Sequence, residues 1–280
     1  LMKVGKIEYK NVMPIYYYAD QGKQLEHVEF DTRIPAALNH AMATGEIGVG
    51  PISSFSYAEN HDKYQLMPDL SVSSDGKVRS IYLFSKKPLE YLDGSRIALT
   101  SSSATSVALL KVIMHHFYQL QPVYQTMPPH LPSMLQEHDA ALLIGDDAIR
   151  TKWTSTTPYV YDLGELWKKW TNYTMTYAVW AIRKEWIDQE QLALNELYHA
   201  FTQSKQQARR HLDPIIQTLI QDFGGTVTFW TDYFNGLKYD FGPKQIEGLE
   251  YFYRLAYECG LLHRPCQVET WTPEQPFVAY

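Results

Sequence analysis

Four short apolar runs limit what this chain can fold into: "IYLFS" (81–85), "RIALT" (96–100), "AALLI" (140–144) and "YAVWAIR" (177–183). Each is rich in Ile, Leu, Val or aromatic residues and too short for a helix, so each reads as a buried strand. Between them lie the helix-like stretches "SVALLKVIMHHFYQL" (106–120) and "YDLGELWKKWTN" (161–172). Upstream, "KVGKIEY", "IPAALNHAMATG" and "IGVGPISSFSYAEN" repeat the strand and helix rhythm, which is the pattern of an α/β layer. From Asp188 onward Leu, Ala, Tyr and Phe recur at helical spacing, so the C-terminal third is expected to be helical.

No low-complexity linker or repeat separates the two α/β units. The chain is expected to cross from one to the other at about "SKKP" (85–88) and to return at about "TYAVWAIR" (176–183). This assigns 1–86 and 181–280, with the C-terminal helices, to one lobe and 87–180 to the other. Two lobes joined by two crossings leave a cleft, a natural place for a small ligand.

Charge narrows the ligand. The 25 Lys and Arg against 31 Asp and Glu leave a formal charge of −6 with no long basic stripe, so nucleic acid is excluded as a partner. No stretch approaches the roughly 18–20 apolar residues of a membrane span. The opening "MKVGKIEYKN" lacks the apolar core of a secretory signal, so a cytoplasmic location is expected. Cys259 and Cys266 have no zinc-type spacing and read as structural or incidental thiols.

The run "TSSSATS" places six hydroxyls in the seven positions Thr100–Ser106, between a strand and a helix. A helix N-terminus presents unpaired N–H groups and about half a positive charge, and hydroxyls add donors there. An anion cradle is therefore favoured over a simple cap. Ser53 and Ser54, after a strand-like run and a Gly-Pro turn, form a second such place. Two cradles on different lobes suit a small molecule with two carboxylates. Asn11, just before "VMP", offers both a donor and an acceptor. His115 and His116 read as solvated residues near a helix end, and no metal is assigned. No zinc-protease, phosphate-loop, dinucleotide-binding or serine-hydrolase motif occurs.

Taken together, "VGKIEYKNVMPIYY", "GPISSFSYA", "LMPDLSVSSDGKVRSIYLFS", "LTSSSATSVALLKV", "DAALLIGDDAI", "YDLGELWKKWT" and "YAVWAIR" resemble, in order and spacing, the chorismate dehydratases of the futalosine route to menaquinone. The resemblance covers nearly the whole chain. It implies an α/β, two-lobed fold like the type 2 periplasmic binding proteins, with an interlobe cleft. It also implies a hydro-lyase converting chorismate to 3-[(1-carboxyvinyl)oxy]benzoate with no metal or organic cofactor, as a monomer or homodimer.

By the same resemblance, Asn11 and Ser85 hold the enolpyruvyl carboxylate, which can itself act as the base. Ser53, Ser54, Thr105 and Ser106 match anion-contacting positions, Ser103 is added to them, and Gly145 and Asp146 are counted with the substrate-binding set. Lys10 departs from the pattern and is expected to point to solvent. The sibling 1,4-dihydroxy-6-naphthoate synthases carry a catalytic His on the strand matching "LLIGDDA". Here that strand ends in Gly145 and Asp146, which disfavours the sibling activity. A solute-binding protein of the same fold is the other rival, disfavoured by the missing export signal.

Overall fold

A computed structural model describes residues 1–19 and 25–274. Among the described residues eleven strands form two sheets: β1 (Met2–Lys6), β2 (Val28–Thr32), β3 (Val49–Ser53), β4 (Tyr64–Ser74), β5 (Ile81–Ser85), β6 (Arg96–Thr100), β7 (Val123–Met127), β8 (Ala140–Ile144), β9 (Tyr159–Asp162), β10 (Met175–Arg183) and β11 (Leu237–Lys238). The first sheet runs β11-β4-β10-β3-β1-β2 and the second β7-β6-β8-β5-β9. Parallel pairs β1/β2 and β6/β8 are made through helical crossovers, and β10 joins antiparallel to both β3 and β4.

The four apolar runs are all strands, as expected. "AALLI" and "IYLFS" are buried at every position, because helices cover both faces of the second sheet. The longest strand, β4, has no clean alternation in sequence. Pro68 and Asp69 interrupt it, Asp69 at φ 58°, and the pairing with β10 slips between Leu66 and Ser71. Such a slip is a β-bulge, which breaks the period of two on which a sequence reading depends.

The crossing positions are corrected in the same way. β5 pairs with β8 and β9 in the second sheet, so the chain leaves the first sheet before β5, at about 75–80, and not at "SKKP". Gly76, at φ 114°, makes the turn there. Return comes at about 172–174, because all of β10 lies in the first sheet. Asp162 ties this junction together. Its carboxylate accepts N–H bonds from Val78 and Arg79 of the crossing, and from Gly164 and Glu165 at the start of helix Leu163–Thr171.

The C-terminal helices do not belong to the first lobe alone. Trp153, from the second-lobe helix Gly145–Thr154, meets Phe223, Phe229 and Trp230 edge-on. Trp167 of the second lobe packs against Tyr251 and Phe252 of helix Pro243–Glu258. The C-terminal third thus spans the back of both lobes with buried aromatics. Among the described residues no helix is long and apolar enough to cross a membrane.

Candidate active site

Between the two sheets lies a cleft that opens to solvent. Both lobes supply its walls. Tyr9, Asn11, Asn39 and Ser53 come from the first lobe, Ser80 from the crossing, and Ser102, Ser103, Ser106 and Gly145 from the second lobe. Ile7, Ile52, Val72 and Ile144 add an apolar lining.

Asn11 is placed by the end of β1. The chain turns through the short 3₁₀ segment Lys10–Val12, and Pro14 then opens the helix Met13–Tyr16. The Asn11 carbonyl accepts a bond from the Tyr239 hydroxyl at 2.7 Å, which fixes the backbone. Its side-chain Oδ1 is buried and has no partner. An unmet buried polar atom costs about 1–3 kcal/mol, so this amide is poised for a ligand. Which way the amide faces depends on the ligand, since oxygen and nitrogen can exchange by a flip.

The hydroxyls divide their work. Ser53 caps helix Ser54–Glu59 by accepting from the Ser56 N–H at 3.2 Å. Ser103 caps helix Ala104–Val112 by accepting from the Ser106 N–H at 3.1 Å, and it donates to the Ser106 hydroxyl at 3.0 Å. The Ser53 and Ser106 O–H groups therefore remain donors on the two sides of the cleft. Helix dipoles on both sides add to the attraction for an anion. Gly145 stands at φ 61° where β8 turns into its helix, and its N–H is held by the Ser80 carbonyl at 2.7 Å.

Four expected contacts do not reach the cleft. Ser85 lies at the other end of β5, paired with Ala140, and its hydroxyl donates to the Lys87 carbonyl at 2.6 Å. Ser80, at the opposite end and next to Gly145, faces the cleft instead. Ser54 is fully buried and donates to the Thr176 carbonyl at 2.8 Å. The Thr105 hydroxyl accepts the Phe55 N–H at 3.0 Å and lies 3.3 Å from the Ser54 hydroxyl. Ser54 and Thr105 thus join the two lobes behind the site. Asp146 turns to Lys10, whose Nζ lies 3.7 Å from its carboxylate and whose backbone N–H also bonds it. Lys10, expected in solvent, is a bridge between lobes.

Burial pushes the Asp146 carboxyl up, Lys10 pulls it down, and the net direction is up. The Tyr9 phenol is also raised, first by burial and then by Asp146 and Asp147. Sequence reasoning missed Ser80, Ser102, Asn39, Tyr9 and Tyr177. Ser80 is 4% exposed and bonds to the Tyr233 hydroxyl. Its place at the end of the "DGKVR" turn was the one available signal.

A family model described as menaquinone biosynthesis matches residues 2–258. A chorismate dehydratase of Thermus thermophilus is 36% identical over 197 residues, covering 65% of this chain and 70% of that protein. Among solved structures, a protein of Archaeoglobus fulgidus superposes with a TM-score of 0.76 at 21% identity, covering 93% of this chain and 98% of that one. A Candida albicans protein described as having the generic periplasmic binding protein fold gives 0.70 at 11% identity, with 98% of each chain covered. An alkanesulfonate-binding protein of Xanthomonas axonopodis pv. citri gives 0.68 at 14%, covering 95% of this chain and 96% of that one. The structural likenesses carry the two-lobed periplasmic-binding-protein fold, and the sequence match over residues 2–258 places the chain in the menaquinone-biosynthesis family.

Proposed function

We propose that this protein is a chorismate dehydratase, removing water from chorismate to give 3-[(1-carboxyvinyl)oxy]benzoate, and that it acts in the cytoplasm. The curated relative of that name supports the reaction, and the two cysteines, both free thiols, suit a reducing compartment. The observation that carries the mechanism is the chemistry of the cleft wall. Its polar groups are hydroxyls, amides and phenols, which orient a dianion and exclude water without competing for its protons.

The base is then the substrate's own enolpyruvyl carboxylate, held by Asn11 and by Ser80, which takes the role that the family resemblance implies for Ser85. That carboxylate removes the proton from the ring carbon bearing the ether. The C–H electrons form the new ring double bond as the C–O bond of the adjacent carbon breaks. The carboxyl returns its proton to the departing hydroxide, so one water leaves and the carboxylate is restored. Aromatisation drives the step, and the protein's part is to fix the conformer. Ser53 and Ser106, whose O–H groups are free to donate, hold the ring carboxylate.

Purified protein mixed with chorismate, with no cofactor added, is expected to yield the dehydrated enolpyruvylbenzoate, followed by chromatography with mass detection. Binding without turnover would make it a binding protein, and no binding would remove chorismate as the ligand.

A further inference from the structure

The two adjacent histidines and one of the thiols, far apart in sequence, meet in the fold. His115 and His116 lie on a π-helical turn, Ile113–Phe117, that continues helix Ala104–Val112. Cys259 follows the end of helix Pro243–Glu258, which packs against that helix. One ligand atom from each of the three residues lies within 4.8 Å of the other two.

We propose that His115, His116 and Cys259 form a binding site for a borderline-soft divalent cation, Zn²⁺ fitting best, that joins the second lobe to the end of the C-terminal helix. Two imidazoles and a thiolate favour zinc, cobalt or copper over magnesium or calcium. Zn–N bonds of about 2.0–2.1 Å and Zn–S bonds of about 2.3 Å put neighbouring donors roughly 3.3–3.7 Å apart, so closing the shell needs side-chain shifts of about 1 Å. The second coordination layer is already present. His116 Nε2 lies 3.1 Å from the Leu255 carbonyl, the kind of bond that fixes the ring and tautomer of a ligating imidazole. The Glu258 carboxylate, 3.9 Å from the same nitrogen, adds negative charge beside the ion. His115 is exposed and the other two are half-buried, which gives the ion a path in and leaves the fourth position to water. None of the three residues lines the cleft, so the site is separate from the catalytic one. A π-turn inside a helix often marks a functional position, because it re-aims successive side chains.

The test is a Co²⁺ titration of the full chain, reduced and metal-free. One equivalent is expected to give a thiolate-to-cobalt charge-transfer band and visible bands of tetrahedral intensity. Cys259→Ser removes the charge-transfer band and Cys266→Ser keeps it. His115→Ala, at an exposed position that folding tolerates, weakens binding at least tenfold. Zn²⁺ displaces the cobalt and raises Tm by on the order of 5 °C at hundredfold excess over its Kd. Absence of the band at equimolar cobalt, its survival in Cys259→Ser, or its dependence on Cys266 would overturn the proposal.

Discussion

Lys10 and Asp146 form an ion pair between the two lobes, with 3.7 Å between Nζ and the carboxylate. One residue follows the first strand of the first lobe and the other opens the helix after β8 of the second. Lys10 also lies over the Phe223 ring, whose centroid is 3.9 Å from the Arg150 guanidinium carbon. The pair therefore ties both lobes to the C-terminal helices. Lys10→Met is expected to favour the open arrangement of the lobes. A partly exposed pair contributes about 1 kcal/mol, so KM for chorismate should rise about fivefold with kcat little changed. Steady-state kinetics check this; a fall in kcat alone would mean that the pair does not act through closure.

Asn11 carries the sharpest catalytic prediction. Its buried Oδ1 has no partner in the protein, so Asn11→Ala breaks no hydrogen bond made by the side chain. Stability should hold or rise by about 1 kcal/mol, because an unmet buried polar atom is removed. Turnover should fall by about 10²–10³ in kcat/KM, the usual loss when one preorganised group at a charge-bearing position is removed. Thermal unfolding and chorismate kinetics on one preparation separate the two effects.

The serines at the two ends of β5 part the sequence reading from the structural one. Ser80→Ala is expected to cost at least tenfold in kcat/KM. Ser85→Ala should leave turnover near wild type and cost about 1 kcal/mol of stability, because its hydroxyl serves the turn at Lys87. The reverse pattern in parallel assays would restore the role first given to Ser85.

That difference shows where a sequence stops being readable. "IYLFS" announces a strand, yet which end meets the ligand depends on its antiparallel pairing with β8, Ile81 beside Ile144 and Ser85 beside Ala140. Four residue steps along the strand separate Ile81 from Ser85, about 13 Å at about 3.3 Å per residue. No local pattern encodes that choice. The hydroxyl run was legible as a helix start, and Ser103 and Ser106 do face the cleft. Thr105 does not, because its place on the helix turns it toward Phe55 of the other lobe. The meeting of Cys259 with His115 and His116 was invisible for the same reason: helix packing, not spacing, creates it.

Asp240 gives a pH dependence away from the active site. Burial alone would raise its carboxyl, but hydrogen bonds from Lys205 and Arg209 outweigh it and hold the carboxyl below its ordinary value. Lys205 is 4% exposed, its Nζ lies 2.9 Å from Asp240, and it also donates to the Asp69 carbonyl. A depressed carboxylate binds fewer protons folded than unfolded. Its contribution is therefore complete above the unfolded value, about pH 4, and is lost as pH falls through the lower folded value. Asp240→Asn removes that dependence and leaves the Lys205 ammonium with weaker partners. The Asp240 side chain is 45% exposed, so solvent screening reduces the effect well below that of a fully buried pair, to about 1–2 kcal/mol at pH 7. Denaturant unfolding of both proteins between pH 3 and 7 should show the gap widest at neutral pH and narrowing below about pH 4. A gap constant across that range would mean that the charge of Asp240 does not stabilise this junction of the C-terminal helices with β4.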